Sequence, residues 1–313
     1  MERTEQEAST MIRHFREMEE DVLKHPRLTI SVAVAQDEEV LLSVKGAMDR
    51  GFADFILVGD EKKVRPLMKK VGVAETVRVV DEPDDAMACQ RAVGLIREGT
   101  AQVLFKGLVN STLYLRAALD KEKGLRTGRL LSHLAAFEIP RDDRLLFATD
   151  TGLAINPTLE EKRDILWNAI DCLKRFGIDH PYIGILAANE LVSPKMPVTV
   201  EAAELARQFT ADPGFHGTIE GPVSLDVAVS ANAAKHKGIV SRIAGKTDVF
   251  LFPSVEAGNI WSKTMMHYAN ISAAGVIIGA THPIMLVSRA DDAAIKMNSI
   301  VMACFLAKKG VME

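Results

Sequence analysis

Cysteine is scarce in this sequence. Three residues in 313, Cys89, Cys172 and Cys304, stand far apart and share no metal-ligand spacing. A disulfide framework and a cysteine-built metal centre are thereby excluded. A free cysteine behaves as a small buried hydrophobe, so all three read as core packing in a reducing compartment. Excess charge is missing as well: 38 Lys+Arg against 42 Asp+Glu leave a net charge of −4. No block of like charge reaches the length of a tail, which gives no support to nucleic acid or a membrane surface as partner. The opening residues, "MERTEQEAST", are polar and acidic and lack the basic-then-apolar layout of a signal peptide. The most apolar run near the C-terminus is interrupted at His282 and Pro283, short of the ~20 residues of a membrane span. The chain contains no G-x-x-x-x-G-K-[ST], no G-x-G-x-x-G after a strand, no H-E-x-x-H and no G-x-S-x-G. Its eight histidines are scattered, with no pair at metal-ligand spacing. Nothing marks a cofactor-loaded redox enzyme, a serine hydrolase or a metal site.

What is present is a long alternation. Hydrophobic residues make up 48% of the chain, enough for a substantial core, and the length favours about two domains. Met11, Ile12, Phe15, Met18 and Val22 fall at helical spacing. "LTISVAVA" reads as a buried strand, followed by a helix from about Asp37 to Arg50. "FILVG", "VRVVD" and "QVLFKG" are further β-branched runs, each separated by a helical segment. That order predicts a parallel sheet covered on both sides. A basic, glycine-punctuated stretch, "KGLRTGR", marks a crossover near residues 124–128. A second series follows, with a helix over 159–176, strands in "PYIGILAAN" and near "FHGTIEGPVSL", one helix through "DVAVSANAAKHKGI", and strands in "TDVFLFPS" and "AGVIIGA". "PIMLVS" and a closing helix with Ala294, Met297, Val301 and Cys304 or Phe305 on one stripe complete the chain.

Three strand-to-helix junctions carry polar residues at their mouths, where parallel sheets bind ligands. In "FKGLVNST" the strand ends at Lys106 and Gly107, and the helix begins at Thr112. Asn110, Ser111 and Thr112 there could present donors to an anion at a helix N-terminus. Equally, Ser111 or Thr112 could be an N-cap and Asn110 a turn residue. In "VEAGNIWSKTMMHY", Asn259 and Lys263 are four apart and share a helical face; a cap and a solvated charge would look the same. In "LVSRADD", Ser288 could cap the closing helix with Asp291 as its reciprocal partner. Arg289 either pairs with Asp291 or Asp292, or turns its fork of donors to an oxyanion. Spacing leaves these alternatives open.

Taken together, "KGLVNSTLYLRAAL", "IEGPVSLDVAVSANAAKHKGIVSRIAGKTDVFLFPSVEAGNIWSK" and "AGVIIGATHPIMLVSRADDAAIKMNSI" resemble the phosphate acyltransferases. These acetyl- and butyryltransferases exchange an acyl group between coenzyme A and inorganic phosphate. The resemblance spans about Lys106 to Ala307 and is closest to the butyryl branch, with which the short length agrees. It implies an α/β fold, a two-domain α/β/α architecture of the isocitrate/isopropylmalate dehydrogenase-like group, with an active-site cleft between the domains. Residues 1–128 plus 283–313 would form the first domain and 129–282 the second. It implies catalytic roles for Ser288 and Arg289: the arginine holds phosphate, and the serine hydrogen-bonds the reacting carbonyl or phosphate oxygen. It assigns substrate binding to Lys106, Gly107, Asn110, Ser111, Thr112 and Arg116, and to Asn259 and Lys263. No metal and no cofactor are expected, coenzyme A being substrate and product. The expected partners are acyl-CoA, phosphate and further copies of the chain, as a cytoplasmic homodimer or higher homo-oligomer. One position departs from the pattern. The acetyl branch places its proposed base, an aspartate, six residues after the arginine, and here that position is Ile295. The alternatives are a phosphate acetyltransferase, a metal-dependent decarboxylating dehydrogenase of the shared fold, and a non-catalytic homologue.

Overall fold

β-branched runs bounded by aspartate caps set the order of the first elements. A computed structural model describes residues 11–140, 142–288 and 291–308. Helix α1 (Phe15–Leu23) buries Phe15, Met18 and Val22. Met11 and Ile12, which share that periodicity, precede the helix instead. Strand β1 (Leu28–Ala33) is buried along its last four residues, as an apolar run in a parallel sheet should be. Asp37 then accepts the Val40 N–H at 3.0 Å and starts α2 (Glu38–Asp49). The pattern repeats through β2 (Ala53–Gly59), α3 (Glu61–Val71) capped by Asp60, β3 (Arg78–Asp81), and α4 (Asp85–Arg97) capped by Asp84. Strand β4 (Val103–Lys106) and α5 (Ser111–Ala118) close this half. β3, β2, β1 and β4 lie side by side and all pair in parallel.

The middle of the chain forms a unit of its own. It holds β5 (Ser132–Ile139), β6 (Arg144–Thr149), α6 (Leu159–Arg175), β7 (Tyr182–Leu186), α7 (Pro197–Ala211), β8 (Thr218–Val223), the short α8 (Leu225–Val229) and α9 (Ala231–His236), β9 (Val249–Leu251) and α10 (Val255–His267). Its strands run β5-β6-β9-β7-β8, with β5 and β6 antiparallel and the rest parallel. The single helix expected through "DVAVSANAAKHKGI" is two. Ser230 is extended (φ −147°, ψ 111°), ends α8, and accepts the Ala233 N–H to begin α9. Residues before α1 pack here too: the Ile12 N–H donates to Phe176 O at 2.9 Å, and His14 contacts Glu138 at 3.0 Å.

The chain then returns to the first unit with β10 (Ala273–Ile278), β11 (Ile284–Met285) and α11 (Ala293–Lys308). β11 runs parallel to β4 and antiparallel to β10. The compact units are Phe15–Arg129 with Ala273–Glu313, and Met1–His14 with Leu130–Ser272. The second changeover therefore falls at 272–273 rather than at 283. The reason is α11, which holds β10 directly: Ser299 Oγ accepts the Gly275 N–H at 3.0 Å, and Asn298 Nδ2 donates to Ala273 O at 3.3 Å. The stripe expected on α11 widens to nearly the whole circumference, because every residue from Ser299 to Leu306 is buried. α1, α2, β4, β10 and β11 surround it, and a helix enclosed in this way is apolar on all sides.

Among the described residues no helix is long and apolar enough to cross a membrane, and no group of three or more His, Cys, Asp or Glu could hold a metal ion. The three cysteines are buried and outside any disulfide. Burial raises the Cys89 thiol to about 11 and the Cys304 thiol to about 12, far from thiolate chemistry at neutral pH.

Candidate active site

The first unit brings two of the three polar junctions together. β4 and β11 are neighbours in register, Ile284 beside Leu104 and Met285 beside Phe105, so the residues following each strand emerge at the same end. Lys106, Gly107, Val287 and Ser288 line one pocket of ≈ 30 Å³ with Asp37 and Lys296. β11 is only two residues long, although the apolar run Ile284–Val287 suggested four. Its ladder stops because the facing strand turns away: the Gly107 N–H goes to Ala33 O and the Leu108 N–H to Val34 O, both at 2.8 Å. Val34 sits in the left-handed region (φ 59°) to present that carbonyl. A Cβ on Gly107 would lie 2.1 Å from Val34 O and 2.7 Å from Ala33 O, so only glycine lets the loop approach the end of β1.

Tyr114 locks this arrangement from behind. Its ring is fully buried, and its hydroxyl lies 3.1 Å from both Leu104 O and Met285 O, tying α5 to β4 and β11. Burial pushes the phenol well above its ordinary range, so it remains a donor. Tyr114→Phe is expected to cost about 1–3 kcal/mol, since a buried carbonyl loses its partner. A thermal melt should show the midpoint falling by several degrees. An unchanged midpoint would remove Tyr114 from this role.

The "NST" segment resolves partly in favour of capping. α5 begins at Ser111, and the cap is Asn110 rather than Ser111 or Thr112: its Oδ1 accepts the Thr112 N–H at 2.7 Å. That N–H is therefore committed within the chain. Asn110, Ser111 and Thr112 are all exposed, and the Asn110 amide nitrogen has no hydrogen-bond partner among the described residues. Arg116 is set apart from the pocket. It lines a wide surface depression of ≈ 1050 Å³ with Arg97 of α4 and Glu98 just beyond its end, and makes no ion pair among the described residues.

Ser288 does not cap α11. Asp292 does, accepting the Ile295 N–H at 2.8 Å, while the Asp291 carboxylate accepts the Ser288 N–H at 2.8 Å. Both acids nearest the Ser-Arg pair are thus engaged by the backbone. Arg289 itself lies outside the described residues. Ile295 is half-buried.

The second unit carries Asn259 and Lys263 on α10. Gly258 packs against the 149–151 turn, where a Cβ would lie 2.3 Å from Asp150 O. That approach lets Asn259 Nδ2 donate to Thr151 O at 3.2 Å. Asp150, only 2% exposed, accepts the N–H groups of His133, Gly152 and Leu153 at 2.7–2.8 Å. The His133 ring, which sequence spacing gave no reason to single out, lies 2.6 Å from Thr151 Oγ1. Lys263 is exposed and makes no ion pair among the described residues.

Residues 76–304 match the protein family described as "Phosphate acetyl/butaryl transferase". The chain belongs to that family. Within it, the phosphate butyryltransferase of Clostridium acetobutylicum is 40% identical over 298 residues, covering 95% of this chain and 99% of the relative. The phosphate acetyltransferase of Rhizobium meliloti is 36% identical over 288 residues, 91% of this chain and 90% of the relative. The crystal structure of a branched-chain phosphotransacylase from Enterococcus faecalis V583 superposes with a TM-score of 0.81 at 30% identity, covering 90% of this chain and 99% of that one. A 4-hydroxythreonine-4-phosphate dehydrogenase from Klebsiella pneumoniae shares the fold alone, at a TM-score of 0.58, 14% identity, and coverage of 90% and 99%. Of the residues that the resemblance assigns to the site, Lys106, Gly107 and Ser288 are the ones the structure gathers into one pocket. Sequence reasoning missed Lys296, although its signal was present: Lys296 and the terminal Lys308 are the only charges in α11.

Proposed function

We propose that this protein is an acyl-CoA:phosphate acyltransferase of the butyryl type, converting acyl-CoA and phosphate to acyl phosphate and coenzyme A. The observation that carries the reading is the single pocket uniting Lys106 and Gly107 with Ser288, on a chain of this family. A phosphate oxygen attacks the thioester carbonyl, a tetrahedral oxyanion forms, and the thiolate leaves. Lys106 and Arg289 supply positive charge for the phosphate, and Ser288 donates to the carbonyl or phosphate oxygen. Asn110, Ser111 and Thr112 offer exposed donors at the start of α5, and Arg116 contacts an anionic part of the substrate. Asn259 and Lys263 belong to the substrate-binding set of the other unit.

Positioning and preorganised donors meet most of the demand of this reaction. A free thiol titrates at about 8.5, so a nearby cation yields enough thiolate at neutral pH without a dedicated base. Ile295 in place of an acid fits that chemistry. Coenzyme A enters as substrate and product, and the proposal includes no cofactor and no metal. We also propose that the enzyme works in the cytoplasm as a homodimer or higher homo-oligomer.

Initial rates with acetyl-, butyryl- and isobutyryl-CoA test the acyl preference. Each methylene in an apolar pocket is worth about tenfold or more in discrimination. The kcat/KM for a four-carbon acyl-CoA should therefore exceed that for acetyl-CoA by at least about tenfold. Equal or faster turnover of acetyl-CoA would make the protein a phosphate acetyltransferase.

A further inference from the structure

Lys296 is the odd residue in the first unit. It belongs to α11, is 6% exposed, and lines the pocket that holds Lys106, Gly107 and Ser288. A buried ammonium must be paired, because removing the charge from water is costly. Its Nζ donates to Glu39 Oε2 at 3.2 Å, its only side-chain partner among the described residues. Glu39 is an unusual choice for that duty. Its side chain is 69% exposed on the first turn of α2, where a carboxylate is equally well served by water and by the helix N-terminus. The other acid of the pocket, Asp37, is already committed to the Val40 N–H as the α2 cap. The cation is therefore fixed by its surroundings while its counter-anion is held loosely. The ≈ 30 Å³ of the pocket has room for about two waters, and withdrawal of the Glu39 carboxylate would enlarge it.

We infer that Lys296 is a ligand of the substrate phosphate, and that Glu39 is a stand-in anion which phosphate displaces. The site then presents two lysine ammonium groups, Lys106 and Lys296, to the same tetrahedral oxyanion. When phosphate arrives, the Nζ of Lys296 exchanges one anionic oxygen for another, and Glu39 swings into solvent at little cost, as an exposed ion-pair partner should. The inference rests on the acyl-transfer reading for its substrate, but its first test needs no turnover.

Orthophosphate binding is measured by thermal shift at matched ionic strength on the wild type, Lys296→Met and Glu39→Gln, alongside the KM for phosphate and for butyryl-CoA. Folding is checked by circular dichroism. Folded Lys296→Met should weaken phosphate binding and raise its KM by about tenfold or more, the worth of one charge-assisted hydrogen bond. Its KM for butyryl-CoA should remain within about twofold. Glu39→Gln removes the competing anion and should lower the phosphate KM about two- to fivefold. A folded Lys296→Met protein that binds phosphate as the wild type does would overturn the inference, since a merely structural lysine would alter the melting temperature and leave phosphate affinity alone. Should Lys296→Met fail to fold, Glu39→Gln decides, and unchanged or weaker phosphate binding overturns the inference. Phosphate binding that behaves as described, in a protein that turns over no acyl-CoA, would sink the acyl-transfer reading and leave the phosphate site standing.

Discussion

Gly107→Ala is expected to reduce phosphate-dependent thiol release by about a hundredfold or more. The added methyl cannot coexist with Val34 O at 2.1 Å and Ala33 O at 2.7 Å. The loop must retreat from β1 by an ångström or so, and misplacement on that scale costs about 10² in rate where positioning carries the chemistry. Two hydrogen bonds are at risk, from the Gly107 and Leu108 N–H groups to the end of β1. Overpacking of this kind costs about 1–3 kcal/mol, so the melting temperature should fall by roughly 2–10 °C. The expected pattern is a modest loss of stability with a large loss of rate. A variant that keeps both would mean that the Lys106–Gly107 loop is not part of the reacting site.

The second large effect belongs to Arg289. Its neighbour Ser288 lines the pocket with Lys106 and Gly107, and the nearest acids, Asp291 and Asp292, accept backbone N–H groups. Arg289→Ala is expected to lower kcat by about 10²–10³, the usual worth of a preorganised donor at a developing oxyanion. Arg289→Lys should restore little of it, because an ammonium lacks the planar fork that grips two phosphate oxygens. Circular dichroism and a thermal melt should match the wild type. Near-normal turnover in the alanine variant would contradict the role assigned to this side chain.

How much of this was legible beforehand differs from element to element. The strands of the first half could be read because each is a short β-branched run, and their helices because aspartates cap them: Asp37 and Arg50 flank α2 as the pattern suggested. Local capping chemistry was harder. Asn110, Ser111 and Thr112 are all competent caps, and only the backbone geometry selects Asn110. Similarly, Ser288 and Asp292 compete for α11, and Asp292 prevails. The extent of β11 depended on a neighbour that turns away after Lys106, which is a fact about β1 and Val34 rather than about residues 284–287. Tyr114 could not be recognised because one of its two partners is Met285, far off in sequence. Lys296 could have been: a charge isolated in an apolar helix asks for a counter-charge. The stripe pattern on α11 hid it, since periodicity attends to apolar positions and passes over the exception.

The most direct measurement is release of coenzyme A thiol from butyryl-CoA by the purified protein, with and without inorganic phosphate. Rapid release that requires phosphate, saturates with it and yields acyl phosphate is the predicted result. Release that persists at the same rate without phosphate would make the protein a thioesterase, and no release from any acyl-CoA would leave the pocket of Lys106, Gly107 and Ser288 without the chemistry proposed for it.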